Sequence, residues 1–200
     1  MVMKQFQIRA QIAREAARVM VEGASEDYQL AKRKAAERLG IGDPRVLPAN
    51  FEIEEARQEY LRLFRADTQP EHLQRLRRVA LEAMRFLARF EPRLVGPVLA
   101  GTADEHSEVV LHLFADTSEE VMMYLLEHGI RFEDGERRVR VSPSEVERLP
   151  AFGFLADDVP IELVVFTGRS RRRPALSPVD GRPMERAALA RVEALVQDAG

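Results

Sequence analysis

One stretch near the middle of the chain, RLVGPVLAGTADEHSEVVLHLFAD at residues 93–116, constrains the fold most strongly. Apolar residues fill its first part and stop at Gly101 and Thr102, which predicts a strand that ends at a glycine-threonine corner. Pro97 would place this strand at a sheet edge or at a bulge. From Glu108 onward the residues alternate, which predicts a second strand with one face in the core and the other open beside the corner. The expected core face holds Val109, Leu111 and Leu113, and the expected open face holds Glu108, Val110, His112 and Phe114.

The helical spacing of apolar residues predicts four helices ahead of this stretch. A segment rich in turn residues, GIGDPRVLPAN at residues 40–50, separates the first two helices from the next two. We therefore predict a helical hairpin extension over residues 1–47. Residues 48–200 would form one α/β domain that includes two leading helices and a C-terminal helix. The predicted fold is an α/β (α+β) protein in which N-terminal helices pack on a small mixed sheet.

Further strands are expected after the central stretch. Asp134-Gly135 is a hairpin signal between two short apolar arms, and Ser142-Pro143-Ser144-Glu145 would begin a short helix. Residues 159–166 alternate, with Ile161, Leu163 and Val165 facing inward and Glu162 facing outward.

Composition limits the possible classes. Thirty basic and 33 acidic side chains give a net charge of −3, so nucleic-acid binding would require a local basic patch. The chain has no cysteine, which excludes disulfides and thiolate chemistry and suits a reducing cytoplasm. We find no secretory h-region and no run of membrane-spanning length, and we expect a cytoplasmic protein without membrane contact. The P-loop, His-Glu-x-x-His and Gly-x-Ser-x-Gly motifs are absent from the sequence.

The central stretch resembles the signature of the nucleotidyltransferase superfamily. That signature is a hydrophobic strand, Gly-Ser or Gly-Thr, a loop, and Ser-Asp-hydrophobic-Asp on the next strand. Gly101 and Thr102 match its first part, and Ser107-Glu108-Val109-Val110-Leu111 stands where the acidic strand would be. The sequence departs from the family at the second carboxylate position, which is Val110.

The resemblance implies a catalytic site that holds Mg²⁺ against a nucleoside triphosphate. Glu108 and Glu162 would be the catalytic carboxylates and metal ligands, and Gly101 and Thr102 would contact the triphosphate. Because valine supplies no oxygen, Asp104 or Glu105 in the loop would have to replace the missing ligand. A simpler interpretation is that Glu108 and Glu162 are solvated residues on half-exposed strands.

A dense run of arginines follows the last predicted strand. Arg169, Arg171, Arg172 and Arg173 come directly after Gly168, and guanidinium groups bind phosphate bidentately. The run would neutralise nucleotide phosphate or bind nucleic acid, although a plain solvated loop is the alternative. His106, in the loop beside the predicted pocket, is a candidate base or a surface histidine.

Three hypotheses follow from the residues. The first is a nucleotidyltransferase-like enzyme, or a degenerate relative, that transfers a nucleoside monophosphate to an unknown acceptor hydroxyl. The second is a non-catalytic binding or scaffold protein that recognises a polyanion, nucleic acid or protein through the arginine-rich loop. The third is a small-ligand sensor of the βαββαβ kind.

Overall fold

The computed structural model describes residues 2–23, 27–64, 69–104 and 107–198. Within these ranges the chain is a mixed α+β protein with seven α-helices and one five-stranded sheet. It divides into two compact units. A helical unit comprises Met1–Gln69 and Pro178–Asp180, and a sheet unit comprises Pro70–Ser177 and Gly181–Gly200. None of the described helices combines the length and the apolar character needed to cross a bilayer.

The helical unit contains α1 (Val2–Glu22), α2 (Tyr28–Arg38) and α3 (Asn50–Phe64). Asp27 caps α2 by accepting hydrogen bonds from two backbone amides of its first turn. Small side chains allow the helices to approach closely around a core of fully buried residues: Ile12, Ala16, Ala17, Ala31, Ala35 and Ile53.

The boundary between the units differs from the predicted one at residue 47. Ile53 of α3 belongs to the core of the helical unit, and Tyr28 Oη of α2 donates a 2.8 Å hydrogen bond to Glu54 Oε2. The third helix therefore packs with the first two, and the units divide after Gln69. The turn-rich segment at residues 40–50 is a connection inside one core rather than a linker between two.

The sheet unit is built on strands β1 to β5, in the spatial order β1-β2-β5-β4-β3. Their bounds are β1 (Arg93–Val95), β2 (Val109–Phe114), β3 (Glu133–Ser142), β4 (Glu145–Ala156) and β5 (Val159–Phe166). Only β2 and β5 run parallel, and the other neighbours are antiparallel. Four helices complete the unit: α4 (Gln69–Phe86), α5 (Gly96–Ala100), α6 (Ser118–Glu127) and α7 (Leu189–Gln197).

Both faces of the sheet are covered. The first face packs against α4, α6 and α7 and includes the predicted inward residues Val109, Leu111, Leu113, Ile161, Leu163 and Val165. The second face carries Val110, Val164 and Phe166, which pack with Ala175 from the segment after β5. The expected open face of β2 is therefore wrong, because Val110 and His112 are only 8% and 3% exposed. Strands of a mixed sheet that lie between two layers are apolar on both sides.

The predicted first strand is mostly a helix. β1 covers three residues, and Gly96–Ala100 forms α5 with Pro97 in its first turn. Proline is favoured there because the first helical amides have no intrahelical acceptor. Gly101 then ends the helix in the left-handed region, at a φ of 82°. The glycine is thus a helix cap and not a strand corner.

The predicted hairpin and short helix near residue 140 are also wrong. Asp134 and Gly135 lie inside β3, and the chain turns at Pro143-Ser144 into a second long strand, β4. A type I′ turn requires a positive φ at glycine, and Gly135 does not have one. Phe152 lies in β4 and packs in the main core.

Candidate functional site

Parallel pairing of β2 and β5 brings the two predicted carboxylates to neighbouring strands. Val110 pairs with Glu162, and Glu108 immediately precedes β2 at the same end of the sheet. The sequence patterns of both strands produce this register, because each places its apolar residues against the helices.

Arg137 from the edge strand β3 bridges the two acids. Its Nη1 atom lies 3.0 Å from Glu162 Oε2 and 3.4 Å from Glu108 Oε1. On the intervening strand β4, Leu149 lies opposite Arg137 and Gly153 lies opposite Glu162, with Ala151 between them, and a Cβ atom at Gly153 would have no neighbour within 4 Å. The long arginine side chain can therefore cross β4 and reach β5.

Burial dominates the electrostatics of Glu162. Its side chain is 18% exposed. Among the described residues its buried Oε2 atom has no well-directed hydrogen bond, although it lies at ion-pair distance from Arg137. Desolvation raises the pKa of Glu162 and the charge of Glu108 raises it further, while Arg137 lowers it. The net shift is upward, so the ion pair only partly offsets the cost of burial.

The residues at this position do not fit a magnesium site. Mg²⁺ needs near-octahedral oxygen ligands at about 2.1 Å, and here a guanidinium group lies against both carboxylates. Val110, at the second acidic position of the family signature, is buried and supplies no oxygen. Across residues 2–23, 27–64, 69–104 and 107–198, no group of three or more acidic or histidine side chains is arranged to hold a metal ion.

The corner that was expected to contact a triphosphate is closed. Thr102 is 2% exposed, and its Oγ1 atom is buried without a hydrogen-bond partner among the described residues. Asp104, the suggested replacement ligand, is 7% exposed and accepts a 3.0 Å hydrogen bond from Ser107 Oγ. Ser107 Oγ in turn accepts one from the Asp104 amide at 2.9 Å. These bonds hold Asp104 in a local turn, whereas Glu105 and His106 lie outside the described residues.

A second polar cluster lies on the same sheet face. Arg186 Nε donates to Nδ1 of buried His112 at 3.1 Å, and the guanidinium stacks 4.7 Å from the ring centre of Phe166. Burial and the nearby cations Arg186 and Arg137 lower the pKa of His112 to about 3, so the imidazole is neutral. This cluster fastens the segment after β5 onto the sheet.

Two of the four arginines in the run are neutralised by the protein's own carboxylates. Arg171 lies 2.8 Å from Asp116 Oδ1 and 3.7 Å from Glu91 Oε1. Arg173 pairs with both Glu145 and Glu147, and these hydrogen bonds raise its pKa.

Arg169 and Arg172 are the exposed members of the run, and neither has a carboxylate partner within the part of the chain that the structure describes. The run thus offers two available guanidinium groups instead of the four expected.

Sequence reasoning missed Arg137, Arg186 and the pairing role of Arg173. Arg137 shares a strand face with Val139 and Val141, which is a signal that its side chain points back over the sheet. No comparable pattern precedes Arg186, because it lies in an irregular segment.

Comparison with protein-family models and with curated proteins finds no match for this chain. The fold and the site therefore define the class only as a mixed α+β protein with an arginine-bridged acid pair at one end of its sheet.

Proposed function

We propose that this protein is a non-catalytic, nucleotidyltransferase-like protein that acts by binding an anionic partner. The observation that carries the proposal is Arg137, whose guanidinium stands between Glu108 and Glu162 where the family would hold its metal. The resemblance of residues 101–111 to the family signature and the adjacency of the two acids support the family relationship. The guanidinium of Arg137 between the two acids and the burial of Thr102 support the loss of transfer chemistry.

A second candidate is Mg²⁺-dependent transfer of a nucleoside monophosphate from a nucleoside triphosphate to an acceptor hydroxyl, with release of pyrophosphate. One observation favours it, because two carboxylates from neighbouring parallel strands meet within 3.4 Å of one atom. In the nucleotidyltransferase superfamily, the metal-binding carboxylates also come from neighbouring strands.

Thermal unfolding with nucleoside triphosphates, with and without Mg²⁺, separates the two candidates. A ligand at a hundred times its Kd stabilises by about 2.7 kcal/mol, which raises Tm by about 5–10 °C in a chain of this size. For the non-catalytic protein we expect no Mg²⁺-dependent rise and no pyrophosphate release.

Matched variants sharpen the test. A Mg²⁺-dependent rise in Tm that Arg137→Gln enlarges and Glu108→Ala abolishes would contradict the proposal and support the transferase. Arg78→Gln, at an exposed arginine on α4, is the control for loss of one positive charge.

A further inference from the structure

Half of the β3–β4 hairpin extends beyond the five-stranded sheet. β4 pairs with β5 only over residues 151–156, whereas residues 145–150 pair with β3 alone. The chain therefore forms a two-stranded ribbon over residues 136–150, with its turn at Pro143-Ser144.

The two faces of this ribbon differ sharply. Val139, Val141 and Leu149 are buried and pack with Ala175 on one side. The opposite side carries the exposed side chains of Arg138, Arg140 and Arg148. This side, the cationic ribbon face, is defined by these three arginines.

The arginines lie closer together than stability alone would favour. Arg138 pairs directly with Arg148, and Arg140 pairs with Val146 one step further along. Directly opposed side chains have Cβ atoms about 5 Å apart, and like charges there are destabilising. Glu136 Oε2 lies 3.5 Å from Arg148 Nη1, but both side chains are more than 60% exposed, so this pair is a weak compensation.

We propose that the cationic ribbon face binds the phosphate backbone of a nucleic-acid duplex. This inference rests on the proposed binding function and adds the surface and the partner. Arginines two residues apart on a strand are spaced by about 6.8 Å, and each can bind a phosphate bidentately. A two-stranded ribbon also has the width to lie along a duplex groove.

The composition of the face favours a nucleic acid over a protein. Protein interfaces have a buried centre enriched in aromatic side chains, and residues 136–150 contain no aromatic residue. The same absence disfavours base stacking with single strands. Val146, 44% exposed, is the large apolar side chain that this face presents.

The test is the salt dependence of binding to a short fluorescent DNA duplex of random sequence, measured by anisotropy. Each phosphate contact contributes about 0.9 to the slope of log K against log salt. The triple substitution Arg138→Gln, Arg140→Gln and Arg148→Gln should reduce the magnitude of the slope by about 3 and weaken binding about tenfold or more. Its folding should be intact, because the substitution relieves the repulsion between Arg138 and Arg148.

A charge-matched control carries Arg14→Gln, Arg62→Gln and Arg78→Gln, all at exposed helical positions outside the ribbon. We expect this control to keep the slope of the unmodified protein. Equal losses in the two triple variants, or an unchanged ribbon variant, would overturn the assignment of the surface while leaving the binding function in place. No duplex binding by the unmodified protein, or tighter binding to polyglutamate than to DNA, would overturn the inference. Mg²⁺-dependent turnover of a nucleoside triphosphate would instead contradict the proposed function.

Discussion

Glu162 shows how one buried carboxylate can lower stability at neutral pH. Its folded pKa lies above the ordinary value of 4.5 because burial outweighs the attraction of Arg137. The folded state therefore retains a proton that the unfolded state releases. The stabilising contribution of Glu162 is fully present below a pH of about 4.5, and it is lost as the pH rises through the pKa of the folded state.

Glu162→Gln should consequently stabilise the protein at pH 7 and have little effect at acidic pH. Glutamine resembles the protonated carboxyl, so the expected gain is about 1.4 kcal/mol for each unit of pKa shift. Urea unfolding near pH 7 and near pH 4 measures it, with Glu136→Gln at an exposed position as the control. If Glu162→Gln changed the free energy of unfolding equally at both pH values, the buried charge of Glu162 would not be the cause.

At the scale of secondary-structure elements, the ribbon depends on contacts with the segment after β5. Arg173 pairs with Glu145 and Glu147 on β4, and the Leu176 amide donates to the Arg140 carbonyl at 2.7 Å. These contacts replace the third strand that the ribbon lacks.

Arg173→Gln should therefore loosen the ribbon selectively. Amide hydrogen exchange over residues 136–142 and 145–150 should become several-fold faster, while β2 should keep its protection. Arg172→Gln removes a charge from the same run without breaking an ion pair, and it should leave exchange unchanged. Uniformly faster exchange throughout the sheet would show that Arg173 supports the whole unit instead.

Strand prediction succeeded where the pattern was regular and failed where proline and glycine interrupted it. β5 has the predicted bounds, and β2 begins one residue later than expected. β4 was missed because Ser142-Pro143-Ser144-Glu145 was interpreted as the start of a short helix. Pro150 is tolerated because β4 has only one neighbouring strand there. Gly153 is the β4 residue that pairs with Glu162.

The candidate site was predictable only in part. The alternation of two strands sufficed to place Glu108 and Glu162 on extended segments, but strand order was needed to make them neighbours. The bridging cation comes from a third strand two positions away in the sheet. The alternation of β3 indicates which face Arg137 occupies, but it does not indicate which residues of other strands the side chain reaches.

At the scale of the whole molecule, the chain has two separate hydrophobic centres, and the division between them can be tested. A chain that begins at residue 48 retains α3 but lacks α1 and α2, against which Ile53 is fully buried. We expect this truncated chain to expose apolar surface and to bind a hydrophobic dye strongly.

The control is Ile53→Glu in the same truncated chain, which should reduce dye binding. If the chain from residue 48 binds no more dye than the complete protein, the apolar face of α3 does not need α1 and α2 to bury it. That result would restore the boundary predicted from the sequence.

The segment between β5 and α7 touches both outer strands of the sheet. Leu176 bonds to Arg140 on β3, and Ala187 exchanges two backbone hydrogen bonds of 2.9 Å with Leu94 on β1. Unpaired strand edges are templates for addition of further chains. This one connection therefore covers part of both sheet edges, where another chain could otherwise pair.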